Sequence, residues 1–417
     1  MPERRIPIMN INPRVEPTIL NSALLTTEAE FDSVKDDWDQ LLDASNQRAY
    51  FLRWAWNFTW WRTFRPANTR LFIIACRDEH QRLVGLAPFY WRQRSTAGIG
   101  HVREVLFLGT GIFLQTSEGL DVIARRGCEK IVAASVADFL RRNRDWDQLW
   151  LNEMPSSSTV LPHLRRALGD RAEVSVCNRT RYIDANTDWE TFKSGLGRAT
   201  RQNTLRQTRR LFESYDCRFR RVETADELET AMDALISLHQ ARWQSKGDHG
   251  SFAIPGFEDF LRQAARFSLA EGRLRLWTLE LKGKIVAARI AFFENGIVYC
   301  FQSGFDPAYA KDSIGKVLLG LCVRDCIEDE SVREYNLMGG ADSYKDCWAS
   351  AGSDNVSLTL LRSGMRTLAY HSIKLASDMG RSVARAALPA NVKAAAHRMM
   401  LRRHYGGVAH IPSLQSS

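Results

Sequence analysis

The amino-acid sequence predicts an α/β protein of two tandem α/β units, each a mixed sheet flanked by helices, followed by a basic helical tail. Three observations predict it. A helix–hairpin–strand pattern occurs twice, helix starts carry capping signals, and an apolar strand passes through a glycine loop into an apolar helix. The expected boundaries are a loose N-terminus at 1–20, a first unit at 21–185, a second at 186–365 and the tail at 366–417.

The repeat is visible in two stretches. Residues 70–76 end at Cys76, a polar turn follows, and an apolar run resumes at Leu83. Residues 273–281 lead through Lys282, Gly283 and Lys284 into a second apolar run from Ile285. Each reads as a β-hairpin with charged or glycine residues at the turn. An aromatic-rich helical stretch precedes each, with Phe51, Trp54, Phe58 and Trp61 before the first and Phe252, Phe257 and Phe260 before the second. Matching downstream strands start at Trp146 and Val332.

Thr27, Thr187 and Thr224 each stand three residues before a glutamate. That spacing predicts a capping box, in which two orphan backbone donors are satisfied reciprocally. From Thr224 the helix places Leu228, Met232, Leu235 and Leu238 on one side. The tail from Arg366 carries Lys374, Arg381, Arg385, Lys393, Arg398, Arg402 and Arg403 against one acid, Asp378.

Composition narrows the function classes. The 417 residues carry a formal net charge of +9, which favours an anionic partner: a phosphate-rich small molecule, a nucleic acid or a membrane surface. No run approaches the length of a membrane span. The eight cysteines show no metal-ligand spacing, so no metal site is expected, and Cys322 and Cys326 share an apolar helix face. With no secretory signal core, a reducing, cytoplasmic location is expected.

The densest functional signal runs from Gly304 to Trp348. A strand that ends in a glycine loop and enters a helix presents unpaired backbone N–H groups at the helix start. The helix dipole adds partial positive charge there, which suits a pyrophosphate. No dinucleotide fingerprint is present, so coenzyme A is the leading ligand. Ser313 stands where it can cap the helix, Gly315 admits close approach of a ligand, and Lys316 adds charge. The alternative is an ordinary capped helix.

Two further clusters stand out. His239, Arg242 and Trp243 share a helix face near its C-terminal end. There His239 suits a general base, Arg242 a carboxylate or phosphate, and Trp243 a pocket wall. A surface cluster closing off the helix is an equal reading. After Gly339 and Gly340 come Asp342, Tyr344 and Lys345. Asp342 is a candidate base, Tyr344 a candidate acid for a leaving thiolate, and Lys345 a candidate anion holder. The alternative is a plain surface turn. Between residues 198 and 221, eight arginines face two acids, either as a solvated helix face or as a phosphate-binding one.

Several of these motifs, in order, resemble the CelD/BcsL type of the GNAT acyltransferase superfamily, named for an association with bacterial cellulose biosynthesis. They are Phe51 with Trp56, residues 84–88, 107–109, 238–243, 304–307 and 313–315, and Tyr344-Lys345 with Trp348. The basic segment from Arg198 resembles one in the related FemAB-like proteins. The resemblance implies two GNAT-like domains, the first degenerate, with the second keeping an acyl-CoA site where two strands splay apart. It places the splay between 298–302 and 335–338, with backbone donors near Ser303 on the thioester and the pyrophosphate at Ser313, Ile314, Gly315 and Lys316. The donor loop has fewer glycines than that superfamily usually shows.

The expected activity is therefore acyl transfer from CoA to an amine or hydroxyl of a polar acceptor. A sugar or exopolysaccharide precursor is implied by the resemblance alone. His239 or Asp342 would deprotonate the acceptor, Tyr344 would protonate the thiolate, and Arg242, Trp243 and Lys345 would position the acceptor. Two alternatives remain open: a FemAB-like transferase using aminoacyl-tRNA, and a non-catalytic partner in polysaccharide synthesis. The basic tail is suited to rest on an anionic membrane surface.

Overall fold

The computed structural model describes residues 20–65, 67–96, 100–112, 116–340, 343–362 and 364. The N-terminal residues to 19, Asp342 and the basic tail lie outside them, with the expectations placed there.

The first half opens with β1 (Asn21–Leu25), α1 (Glu28–Ser33), α2 (Lys35–Asp43) and α3 (Trp54–Phe64). Strands β2 (Thr69–Leu71), β3 (Ile73–Arg77), β4 (Leu83–Ala87), β5 (Phe89–Thr96) and β6 (Gly100–Phe107) follow. Then come β7 (Ile123–Ala124), α4 (Glu129–Arg142), β8 (Gln148–Pro155), α5 (Leu161–Leu168) and β9 (Glu173–Asp184).

The second half begins with α6 (Trp189–Gly195), α7 (Arg198–Ser214), β10 (Cys217–Arg221), α8 (Ala225–Gln244) and α9 (Phe257–Ala270). The strands β11 (Leu274–Leu281), β12 (Lys284–Glu294) and β13 (Ile297–Phe305) lead into α10 (Ile314–Glu328). The described chain ends with β14 (Glu334–Asn336), α11 (Ser343–Trp348) and β15 (Ala351–Leu361).

The same order of elements occurs twice. In the first half, α3 precedes the β3–β4 hairpin, and β6 runs parallel to β8 across α4. In the second, α9 precedes the β11–β12 hairpin, and β13 runs parallel to β14 across α10. Lys282 and Gly283 both take positive φ, 52° and 77°, the backbone that a tight hairpin turn requires. One continuous sheet joins the halves in the order β10-β11-β12-β13-β14-β9-β15-β8-β6-β5-β2. A smaller sheet has the order β1-β3-β4-β7.

The core explains the tandem arrangement. Trp56 of α3 meets Phe260 of α9 edge-on at 4.7 Å and Phe292 of β12 at 5.3 Å. Helices α8 and α9 thus bury their apolar stripe in the same cluster as the first half. Arg53 donates two hydrogen bonds of 2.7 Å to Glu294, which is fully buried. A second cluster lies under α10, where Ile314, Leu318, Cys322 and Cys326 pack on Val298, Cys300 and Tyr335.

Capping boxes form at Thr27 and Thr224. The one expected at Thr187 does not. Asp188 is the N-cap of α6 instead, and its carboxylate accepts the Thr191 N–H, while Glu190 pairs with Lys193. A carboxylate one residue on is a stronger acceptor for the same orphan amides. The strand expected from Val332 to Gly340 is confined to Glu334–Asn336, for a reason given below.

Candidate functional site

The site starts at the gap between β13 and β14. The two strands pair in parallel at three positions, Ile297 with Glu334, Val298 with Tyr335 and Tyr299 with Asn336. Beyond them they part, because the amides after β14 are taken elsewhere. The Leu337 N–H faces the opposite edge and continues the ladder to β9 by donating to the Arg181 carbonyl at 2.8 Å, while that of Met338 is turned to the Asn336 side chain at 2.8 Å. The Gly339 N–H donates to both carboxylate oxygens of Glu118 at 3.0 Å. With those donors spent, β14 does not continue along β13, whose edge from Cys300 to Phe305 has no strand partner on that side among the described residues.

Ser313 and Met338 flank the gap, both in the left-handed region, with φ of 55° and 59°. Non-glycine residues adopt that backbone at a cost and cluster at functional sites. Ser313 is the N-cap residue of α10 but makes no side-chain cap; its carbonyl instead accepts the Lys316 N–H at 2.8 Å. The expected capping by its hydroxyl is therefore absent. The amides of Ile314 and Gly315 stand in the first turn, where a helix has no acceptor for them.

Around this helix start lies a cavity of about 340 Å³. Ser303, Ser313, Ile314, Gly315, Lys316, Arg242 and Tyr344 line it together with Phe305, Leu319 and Arg289. Phe305 shapes the wall: its ring stands 5.0 Å from the Arg242 guanidinium and close beneath Gly315. Asp312, beside the mouth, pairs with Arg210 of α7 at 3.5 Å, which brings the basic helix to the cavity's edge. Exposed Lys316 adds a further positive charge there.

Other predicted residues sit differently. His239 is buried, 1% exposed, and is not among the cavity's lining residues. Its Nε2 accepts the Trp243 indole N–H at 3.0 Å, which leaves that nitrogen without a free lone pair. Burial pushes its pKa down to about 4. Trp243 is thereby turned onto His239, and Gly304 of β13 lies directly against the α8 backbone at His239. Lys345 is buried, and its ammonium donates to the carbonyls of Met338 and Gly339. It braces the turn after β14 from within.

A second cavity, of about 530 Å³, opens beside Tyr299 and Asn336, where the paired part of the gap ends. Residues of both halves line it, among them Gln47, Arg48, Glu118, Asp121 and Glu334. Burial, then the neighbouring Glu153, pushes the Glu118 pKa up to about 7. Burial does the same to Asp121, also to about 7, and raises that of Glu334. The Gln47 side chain donates to Asp121 at 3.4 Å, while its carbonyl oxygen is buried with no partner among the described residues. None of these carboxylates was singled out from sequence. Glu118 stands in a loop with no periodic pattern, and its partners Asn178 and Gly339 are remote along the chain.

The fold these elements define is GNAT-like: mixed sheets flanked by helices, with one splayed parallel pair. Residues 198–346 match the family described as Acetyltransferase (GNAT) domain. Among solved structures, FemX aligns at TM-score 0.54 with 9% identity, covering 82% of this chain and 97% of that one. The C-terminal domain of a putative lysylphosphatidylglycerol synthetase from Agrobacterium fabrum aligns at TM-score 0.51 with 11% identity, covering 84% and 97%. A tandem GNAT protein from the clavulanic acid biosynthesis pathway aligns at 0.43 with 14% identity, covering 82% and 99%. No curated protein sequence matches the chain.

Proposed function

We propose that the protein is an acyltransferase that takes its acyl group from a CoA thioester and gives it to an amine or hydroxyl of a polar acceptor. One observation carries this reading: the β13–β14 gap opens between an anion-suited cavity at the start of α10 and a polar cavity with buried carboxylates. The Ile314 and Gly315 amides with Lys316 suit a pyrophosphate. The unpartnered edge of β13 around Ser303 supplies backbone donors for a carbonyl that gains negative charge in the transition state. The second cavity takes the acceptor.

Glu118 is the base in this reading, in place of His239, whose Nε2 is engaged by Trp243. It removes the acceptor's proton as the acceptor's nitrogen or oxygen bonds to the acyl carbon and the carbon–sulfur bond breaks. Tyr344 passes its hydroxyl proton to the departing sulfur, and solvent returns the proton balance. Arg242 lies at the cavity wall over Phe305 and orients the bound molecules. The CelD/BcsL resemblance makes a sugar or exopolysaccharide precursor the acceptor to try first. The polar lining of the second cavity fits such a molecule.

A calorimetric titration of the full chain with CoA and acetyl-CoA tests the donor side. Saturable binding of both is expected, weakened by Lys316→Glu. Absence of heat and of any thermal shift with either would end the proposal.

A second reading has its own support. Arg198, Arg206, Arg209 and Arg210 are exposed on α7, and the Arg210–Asp312 pair brings that helix to the cavity mouth. An aminoacyl-tRNA donor would lay phosphates along it. Binding of tRNA that falls steeply with salt is the expected sign, because phosphate contacts release counterions.

A further inference from the structure

Resting on the donor reading above, we propose that Arg289 recognises a carboxylate on the donor's acyl group. The preferred thioester would then be one of a diacid, such as malonyl-CoA or succinyl-CoA. Arg289 lies on β12 opposite Ser303 and lines the donor cavity beside Leu319 and Tyr344. It is only 5% exposed. A guanidinium keeps its proton in a protein, so it cannot escape burial by becoming neutral. Burying it is costly unless an anion and hydrogen bonds compensate.

Compensation is incomplete within the chain. Among the described residues Arg289 makes one hydrogen bond, to the Cys300 sulfur at 2.6 Å, and its Nε makes none. The Tyr335 hydroxyl, buried in the same cluster as Cys300, also has no partner among the described residues. Other buried arginines are treated differently. Arg53 is paired twice with Glu294, and Arg92 twice with Glu104 at 3.0 and 2.7 Å. In both cases the chain supplies a carboxylate of its own. At Arg289 no described carboxylate takes that place, and the guanidinium borders a cavity instead.

Two kinds of anionic oxygen enter such a cavity with a CoA ester, phosphate and carboxylate. The phosphates have their own donors at the start of α10, where Lys316 is exposed. Arg289 sits among buried groups, Leu319 and Ile314 included, so the part of the donor that reaches it is the acyl end. The planar guanidinium fork matches a carboxylate held by two hydrogen bonds.

The test is a calorimetric titration of the full chain at constant ionic strength with free CoA, acetyl-CoA, malonyl-CoA and succinyl-CoA. At least one diacid ester should bind about tenfold or more tightly than acetyl-CoA, as a charge-assisted hydrogen bond warrants. Arg289→Met should abolish that preference and keep the affinity for free CoA. Arg289→Lys should retain part of it. The preference is a ratio within one protein, so a variant that folds in lower yield still reports it. Equal affinities in the natural protein, or a preference that survives Arg289→Met, would overturn the proposal while leaving the donor site standing. If neither free CoA nor any ester binds, the donor reading falls and this one with it.

Discussion

Both carboxylate oxygens of Glu118 accept the backbone N–H of Gly339 at 3.0 Å, across 221 residues of sequence. That contact joins a loop of the first half to the turn that pulls β14 away from β13. It keeps the gap open and sets a buried carboxyl beside it. Lys345 secures the same turn through the carbonyls of Met338 and Gly339. The residues that shape the gap thus come from both halves of the chain.

Glu118 gives the clearest pH prediction. Its folded pKa of about 7 lies above the ordinary 4.5. Between those values the folded protein holds a proton that the unfolded chain has released, so this group's contribution to stability falls as pH rises through the window. Glu118→Gln should therefore raise the melting temperature near pH 8 and change it little near pH 4. In activity assays the natural protein should gain rate as pH rises through about 7. The variant should lose that limb and at least about a hundredfold in kcat. Melting curves and pH–rate profiles of the two proteins check both statements.

His239 should behave as a structural residue. Replacing it by Leu leaves the half-buried Trp243 indole N–H without its acceptor, which costs about 1 kcal/mol. The pH–rate profile of the remaining activity should keep its shape. A selective loss of one limb in His239→Leu, with stability intact, would return the base role to this residue.

Tyr344 is the acid in the proposed chemistry. Tyr344→Phe should lower kcat by about a hundredfold and leave KM for the donor nearly unchanged, because only proton transfer is removed. Steady-state kinetics with a thiol reagent for released CoA measures it. Unchanged kcat would remove Tyr344 from the mechanism.

Gly304 lets α8 rest on β13. A Cβ there would lie 2.3 Å from the His239 nitrogen and 2.7 Å from the Leu238 carbonyl carbon, both backbone atoms. Helix and strand would have to separate. Gly304→Ala should destabilise the fold by ~3 kcal/mol or more, at the upper end for overpacking. Chemical denaturation gives the value.

The Arg53–Glu294 pair ties α3 to β12 in a fully buried setting, and Arg273 donates to the same carboxylate at 2.7 Å. Glu294→Gln or Arg53→Met should each cost about 1–3 kcal/mol, less than a fully orphaned buried charge, because Arg53 keeps Asp39 and Asp43 and Glu294 keeps Arg273. The double variant Arg53→Met/Glu294→Leu should lose less than the sum, which a double-mutant cycle would read.

How much of this was legible in the sequence follows the range of the forces involved. The α8 stripe of Leu228, Met232 and Leu235, the Thr27 and Thr224 capping boxes and the Lys282-Gly283 turn depend on neighbours a few residues apart, and they stand as read. Thr187 misled because an equally local competitor, Asp188, outbid it for the same amides. The cavity at Ser303, Ser313, Gly315 and Lys316 was readable because a strand, a loop and a helix start are consecutive in the chain.

What the sequence alone determined is therefore the order of elements, their repetition, and the positive helix start that follows β13. Only the tertiary structure decided which charges are buried. It turned His239 and Lys345 inward, brought Glu118 and Asp121 into a shared cavity, and left Arg289 under α10 without a carboxylate from the described chain. Burial of a charge depends on how segments remote in the chain pack together, as at Glu118 and Gly339, 221 residues apart, and a local pattern carries no record of that packing.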